Sequence, residues 1–343
     1  MNADAARAAR MRSQRLDGRA AGVAEAVRAV VGIQAQEPRA GALSIRARTE
    51  GLTAADVVYA LEEERSIVRT WAMRGTIHFV AAEDAGWLHD LLAPLWLAGE
   101  HRALDKLGVP DGDRPRAVAL IAETLGEHGP LTRAELCEHL ERAGIATDGQ
   151  KAAHLPRLAA LEGHVCFGPV RDGKDTYALL DDWIRVRRPR LARDQALAEI
   201  ARRYAAGYAP AEPEDLAAWS GLPLRDARAA WRDATIDTSE PPPDPPLVRL
   251  LPAFDTYLLG YRDRELAVPA RHARQVWPGG GIVRPTVIAN GLAVGTWKRA
   301  GARVTLEPFG REPEGAAAEI ADVERFLGGA PLRGRAASGT RAP

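Results

Sequence analysis

Val68-Arg69-Thr70-Trp71-Ala72-Met73-Arg74-Gly75-Thr76-Ile77-His78-Phe79-Val80 reads as two β-rich runs broken at Arg74-Gly75. Such a break between runs rich in Val, Thr, Trp, Ile and Phe is a hairpin signal. The chain before it, from residue 10, is patterned mostly as helix. Helices followed by a hairpin give the winged-helix order, and that order recurs. Arg114–His128 is helical, and Pro130-Leu131-Thr132-Arg133-Ala134-Glu135-Leu136 opens a second helix. Thr132 is its N-cap and Glu135, three positions on, completes a capping box. Lys151–Leu161 is a third helix, and Val165-Cys166-Phe167-Gly168 and Thr176-Tyr177-Ala178-Leu179 then flank Arg171-Asp172-Gly173-Lys174. The Asp-Gly pair suits a hairpin turn. A third set runs from Leu191–Tyr204 through Pro213–Trp231, with Gly221 between two helical stretches, the helix-turn-helix order. Leu216, Trp219, Leu222, Ala227 and Trp231 would form its small core. Three such sets, at a spacing of roughly 70–100 residues, point to tandem winged helices.

The proline run Glu240-Pro241-Pro242-Pro243-Asp244-Pro245-Pro246 breaks this pattern and acts as a semi-rigid spacer. Beyond it Leu247–Leu251, Val283–Ile288, Leu292–Trp297 and Arg303–Leu306 are β-patterned, and Asn290-Gly291 is a strong hairpin turn. The expected fold class is α+β, mainly helical. Winged-helix units are expected at residues 10–110, 111–185 and 186–240. A small C-terminal β-barrel is expected at 247–328, closed by a helix at Glu314–Leu327, and an aperiodic, disordered tail at 329–343.

Composition bounds the function. Lysine and arginine number 46 and the acids 46, so no global basic field advertises a polyanion. Residues 1–48 nevertheless carry nine arginines against Asp4, Asp17, Glu25 and Glu37, a local balance of about +5. A locally basic face can bind phosphate on a neutral protein, and Arg39 and Arg46 are candidates from this stretch. Cys137, in a helical pattern, and Cys166, in a strand, are the only cysteines and read as small core residues. They exclude a disulfide framework and a four-cysteine zinc site. No apolar signal core and no apolar run of about 20 residues is present, so a cytoplasmic protein is expected. Gly279-Gly280-Gly281 lacks the Lys and Ser/Thr of a phosphate loop. The histidines make no paired metal motif, so neither metal nor cofactor is expected.

Two side chains stand out. Gln34 and Gln36 lie in Gly32-Ile33-Gln34-Ala35-Gln36-Glu37-Pro38-Arg39, just after an amphipathic stretch. The residue before a proline avoids helical geometry, so the pair should lie in extended chain at a helix C-terminal end. Two apart, they project to one side. One reading makes them caps for free helix carbonyls. The other makes them a charge-neutral site for a water or polar ligand.

Four segments in order now suggest a family: Gly32–Arg39; Arg69-Thr70-Trp71-Ala72-Met73-Arg74-Gly75-Thr76-Ile77-His78; Leu251-Pro252-Ala253-Phe254-Asp255-Thr256-Tyr257-Leu258-Leu259-Gly260-Tyr261-Arg262-Asp263-Arg264; and Gly295-Thr296-Trp297. Over about residues 10–328 the chain resembles the AlkZ-type winged-helix DNA glycosylases, a bacterial family often linked to DNA-alkylating antibiotics. The resemblance implies three winged helices and a C-terminal barrel around a DNA-sized channel. It also implies excision of N7-alkylated purines, including unhooking of interstrand crosslinks and self-resistance to a DNA-alkylating product. The family's catalytic Gln-x-Gln matches Gln34 and Gln36, whereas a sister group carries Gln-x-Asp. The implied partner is duplex DNA with alkylated purines, engaged by a monomer at the nucleoid.

That chemistry can be checked against the residues. An amide is no general base near neutral pH, yet it can accept from and donate to one water. An N7-alkylated guanine is cationic and leaves neutral, without a general acid, while the sugar becomes oxocarbenium-like. Dipoles aimed at that sugar suffice, each worth on the order of 2–4 kcal/mol by analogy with oxyanion-hole deletions. No lysine lies near the pair in sequence, which points to a monofunctional enzyme.

Other residues carry two readings each. Arg74 and Gly75 at the hairpin tip are placed to meet phosphate. His78 faces DNA or packs as a hydrogen-bonded strand histidine, and Arg69 pairs with Glu63 or Glu64. Asp255, Tyr257, Tyr261, Arg262, Asp263 and Arg264 form an inter-domain salt-bridge network or line the channel. Lys298 and Arg299 end a hairpin strand as a minor-groove or phosphate contact, or as a solvated turn. Trp87, Trp96, Trp219 and Trp231 fit helical core positions. The alternative function is a non-catalytic winged-helix DNA-binding protein or transcriptional regulator, which usually brings a dimerisation helix.

Overall fold

Six short strands join in one sheet: β1 (Ile33–Gln34), β2 (Ile67–Trp71), β3 (Ile77–Ala81), β4 (Leu131–Thr132), β5 (Val165–Phe167) and β6 (Thr176–Leu179), ordered β1-β3-β2-β5-β6-β4. The computed structural model describes residues 1–17, 20–186, 189–232, 247–301 and 303–328. The proline spacer and the tail at 329–343 therefore lie outside the described residues.

Both expected hairpins form. β2 and β3 pair from Ile67 with Ala81 to Trp71 with Ile77, and β5 and β6 from Val165 with Leu179 to Phe167 with Tyr177. They are not independent wings. Arg69 on β2 pairs with Phe167 on β5, so the first two helical sets share one sheet. The seam is aromatic: Trp71 stacks on Phe167 at 4.8 Å and Phe167 on Tyr177 at 5.3 Å. Thr132 and Glu135 form the expected capping box of the helix Arg133–Arg142. Cys166 is buried in β5 and Cys137 partly buried on that helix.

The third set comprises the helices Arg193–Tyr208, Pro213–Ser220 and Leu224–Trp231, with Gly221 in left-handed geometry between the last two. Among the described residues it contributes no strand. Its first helix is a central post. The Tyr208 hydroxyl donates to the Val30 carbonyl at 2.9 Å and Tyr204 to the Gly260 carbonyl at 2.5 Å. Gly207 lies so close to the Ala29 carbonyl that a Cβ there would collide with backbone.

After the spacer, β7 (Val248–Leu251), β8 (Thr286–Ala289), β9 (Leu292–Ala300) and β10 (Arg303–Pro308) form a second sheet in the order β10-β9-β8-β7. The Asn290-Gly291 turn has both residues at positive φ, 48° and 78°, as a two-residue hairpin requires. The expected barrel is corrected to an open sheet. β7 and β10 do not pair; instead the helix Ala316–Gly328 packs on both. Val323 and Phe326 of that helix, both fully buried, cover the face that a closing strand would otherwise cover.

Two buried arginines join the second sheet and its following segment to the first helices. Arg48 makes a bidentate pair with Asp255 at 2.9 and 3.0 Å and also bonds Gln14 and Thr256. Arg46 bonds Glu319, Asp322 and the Leu250 carbonyl. Of the two readings of the 255–264 cluster, the inter-domain network describes Asp255, which caps the short helix Thr256–Leu259 instead of sitting in a strand.

Candidate functional site

The chain reaches the glutamines through a tight approach. Val31 adopts positive φ, 63°, and Gly32 follows. A Cβ on Gly32 would lie 2.5 Å from the terminal methyl of Met73 and 3.3 Å from the Phe79 carbonyl, so a side chain there would displace Met73 and crowd β3. β1 then pairs Ile33 with Phe79 and Gln34 with His78, and the Ala35 amide donates to the Ile77 carbonyl at 2.8 Å. Ile33 and Ala35 are fully buried, Gln34 is half-buried and Gln36 exposed. That alternation is the period of extended chain, and it turns both glutamines to the side opposite Ile33 and Ala35. Gln34 ends the edge strand β1 and Gln36 follows it just before the helix Pro38–Arg46, so the pair does not sit at the C-terminal end of the preceding helix Val23–Ala29. Pro38 sits at N1 of the second helix, with Glu37 as its N-cap.

Two arginines support this edge. Arg69 Nε donates to the Ala35 carbonyl at 3.1 Å while its Nη1 pairs with Asp175 at 2.7 Å. It thereby fixes the peptide between the glutamines, a role the expected pairing with Glu63 or Glu64 misses. Arg74, at positive φ, 53°, turns inward instead of reaching out as a wing tip. Its Nη2 donates to Gln34 Oε1 at 3.2 Å and its Nη1 to the Trp219 carbonyl at 2.5 Å. That carbonyl belongs to the last turn of the helix Pro213–Ser220, where intrahelical donors run out. Trp96 walls the turn. A Cβ on Gly221 would lie 2.7 Å from its ring and one on Gly75 3.1 Å. Gln36 is held less firmly, its Oε1 accepting from the Ile77 amide at 3.4 Å.

His78 and Arg46 are not available to DNA. His78 is 1 % exposed and its Nδ1 lies 3.0 Å from the Thr76 carbonyl, so it donates there. Arg46 is 1 % exposed and consumed by Glu319 and Asp322. Burial first, then the Arg74 charge, push the His78 pKa down to about 3, against the opposing Thr76 bond. Unfolded histidine titrates near 6.5. Between those values only the unfolded chain takes the proton, so this stabilisation is complete above about 6.5 and drains as pH falls. The slope is at most ~1.4 kcal/mol per unit. His78→Asn, whose amide can keep the Thr76 bond, is expected to flatten the loss. Denaturant midpoints at about pH 7.5 and about pH 5 measure it, and an unchanged acid slope in the variant contradicts it.

The remaining candidates lie on accessible surface. Arg299, exposed at the end of β9, has its pKa lowered by burial and then by Arg39, with Glu37 opposing. The end of β9 thus feels the charges at the start of the helix that follows Gln36. Lys298 is exposed and paired with Glu307 at 2.6 Å. Arg262 is exposed, and its backbone amide donates to Asp215 at 2.8 Å. It borders a cleft of about 710 Å³ lined also by Arg264 and Trp277, two residues the sequence did not mark as a pair. Trp87 and Trp219 are buried as core and Trp96 is half-buried against the Arg74 turn. Among the described residues no group of His, Cys, Asp and Glu could hold a metal ion, and no helix is long and apolar enough to cross a membrane.

The sequence pattern of the family described as DNA glycosylase AlkZ-like matches residues 27–327. An interstrand DNA cross-link repair glycosylase of Streptomyces sahachiroi is 26 % identical over 282 residues, which is 71 % of this chain and 73 % of that protein. The structure of the DNA glycosylase AlkZ from Streptomyces sahachiroi has the same fold, with a TM-score of 0.79 at 24 % identity over 96 % of this chain and 97 % of that one.

Proposed function

The chain belongs to the AlkZ-like DNA glycosylase family, and on that premise we propose that it hydrolyses the N-glycosidic bond of cationic N7-alkylated purines in duplex DNA, with Gln34 and Gln36 as catalytic residues. The observation that carries the reading is the shared side taken by the two amides, Gln34 ending an edge strand and Gln36 just beyond it, with the intervening peptide pinned by Arg69. Gln36, exposed and lightly held, takes the attacking water; Gln34, whose Oε1 accepts from Arg74 through one lone pair, offers the other to the sugar. Such preorganised dipoles are worth most where charge develops in the transition state. The departing base carries its own positive charge, so an acid is not required.

Water, not an amine, is the nucleophile in this scheme. No lysine lies close to the glutamine pair in sequence, which supports a monofunctional enzyme. Arg39, Arg299 and Lys298 form the phosphate-facing rim, with the β9–β10 hairpin reaching the DNA. In the same reading residues 10–110, 111–185 and 186–240 are tandem winged-helix units that engage DNA as a monomer. The name of the Streptomyces sahachiroi relative supports crosslink unhooking as a further activity, with self-resistance as its use. The test incubates methylated duplex DNA with the protein and measures free N7-methylguanine by chromatography. Release without strand cleavage is the expected result. No release, with footprinting at one defined sequence, would instead establish a non-catalytic DNA-binding protein.

A further inference from the structure

We propose that Arg264 and Arg74 together grip one backbone phosphodiester of the damaged strand at the mouth of the cleft beside Gln34. The inference rests on the glycosylase reading and adds to it a built anion site. Arg264 lines the cleft with its guanidinium 5.2 Å from the centre of the Trp277 ring, and among the described residues its side chain makes no hydrogen bond or ion pair. Asp263 and Glu265 also line the cleft, but Asp263 accepts from the Glu265 amide and neither is paired with Arg264. The indole Nε1 of Trp277 is buried without a partner. An aromatic wall, an idle guanidinium and an idle N–H donor therefore share one cleft.

One short helix brings this cleft to the glutamines. Asp215 in Pro213–Ser220 accepts from the Arg262 amide at 2.8 Å, and Trp219 of the same helix accepts from Arg74 at 2.5 Å. Four residues of helix rise about 6 Å, so the 262–264 segment and the Arg74 guanidinium are anchored about one turn apart. Their charges feel each other: Arg264 is among the groups lowering the Arg74 pKa, after burial. Arg264 as a residue is exposed, yet enough protein surrounds its guanidinium that desolvation lowers its own pKa.

Two guanidinium groups held near each other with no acid paired to Arg264 repel, and a bridging anion removes that repulsion. A guanidinium fork matches phosphate oxygens in geometry as well as charge. DNA supplies such an anion at every nucleotide. The bridge also resolves a difficulty in the proposed chemistry. An unneutralised Arg74 beside Gln34 would oppose a cationic sugar, whereas Arg74 bound to a phosphodiester would not. Arg264 is thus a positioning residue: it fixes the nucleotide whose sugar faces Gln34 and makes no contact with the reacting atoms.

The experiment uses the full-length protein and duplexes holding one N7-methylguanine, with a neutral methylphosphonate replacing each flanking phosphate in turn. In the wild-type protein one position should slow excision roughly 10- to 100-fold, the loss of a charge-assisted contact. Arg264→Gln should be slowed on the natural duplex, and the methylphosphonate at that position should then cost it clearly less than it costs wild type, the remainder being the contact with Arg74. Independent, multiplying losses at every position would overturn the proposal. Binding to undamaged duplex gives a readout without catalysis: the slope of log K against log salt should fall by about 0.9 in Arg264→Gln, one phosphate fewer. Arg264→Lys should restore that slope but not the excision rate. An unchanged slope in Arg264→Gln refutes the clamp even if no base is released, whereas a lost slope without release by wild type refutes only the glycosylase reading. If Arg264→Gln does not fold, the wild-type phosphate scan with Arg264→Lys decides: no sensitive phosphate, no clamp.

Discussion

Gln34→Ala combined with Gln36→Ala is expected to cut the rate of N7-methylguanine release from duplex DNA by at least about 10²–10³-fold, the cost of one preorganised dipole. The two amides act on one water and one sugar, so their losses should not add. Gln34→Ala alone should cost nearly as much as the pair, because Gln34 is the amide whose orientation Arg74 and the edge strand define. Gln36→Ala should cost less, its one contact being a 3.4 Å bond from the Ile77 amide. Stability should hardly move. Neither glutamine is buried, and substitutions of that kind usually fall within ±0.5 kcal/mol; Gln34→Ala loses somewhat more by leaving Arg74 with only the Trp219 carbonyl. The measurement is single-turnover base release alongside thermal unfolding. A double variant that releases base at the wild-type rate would refute the assignment of both residues.

The features legible in the sequence are local ones. The Thr132–Glu135 capping box, the Asn290-Gly291 turn and the alternation around Gln34-Ala35-Gln36 each depend on residues within a few positions, and each appears where expected. What was not legible depends on distance along the chain. Arg69 looks like a surface residue with acids nearby, yet its partner is Asp175, 106 residues on, and its strand pairs with β5. Arg46 and Arg48 look like part of a basic face, but their acids lie more than 200 residues away and bury them. Composition counts charge without regard to pairing, so it assigned Arg46 to DNA. The inward turn of Arg74 was equally hidden, since its acceptor is a helix-end carbonyl contributed by the third helical set. The open sheet had no local signal either, because strand pattern does not say whether the edges meet or a helix covers them.

Asp255→Ala should be the most damaging single change away from the glutamines, costing roughly 3–5 kcal/mol. Asp255 and Arg48 are both fully buried and bound through two oxygens, with Ser44 donating to the same carboxylate at 2.6 Å and the Tyr257 amide at 2.9 Å. Burial alone would raise the Asp255 pKa; Arg48, Ser44 and the Tyr257 amide outweigh it and hold the carboxyl below the usual range. A depressed carboxylate contributes its stability above the unfolded value, near 3.9, and loses it as pH falls through the native one. Removing the acid leaves Arg48 charged with only neutral partners in Gln14, Thr256 and the Ser44 carbonyl, a large loss against total stabilities of about 5–15 kcal/mol. Arg48→Met with Asp255→Ala should recover part of it, because the orphaned charge goes with its partner. Denaturant unfolding of the three variants measures this, and an Asp255→Ala loss under about 1 kcal/mol would contradict it. Activity should fall before the fold does. The helix Pro38–Arg46 starts beside Gln36 and carries Ser44 near its other end, while Asp255 opens the segment that runs to Arg262 and Arg264. Loosening that joint lets the cleft drift from the glutamines, so excision by Asp255→Ala should be impaired even at temperatures where it remains folded.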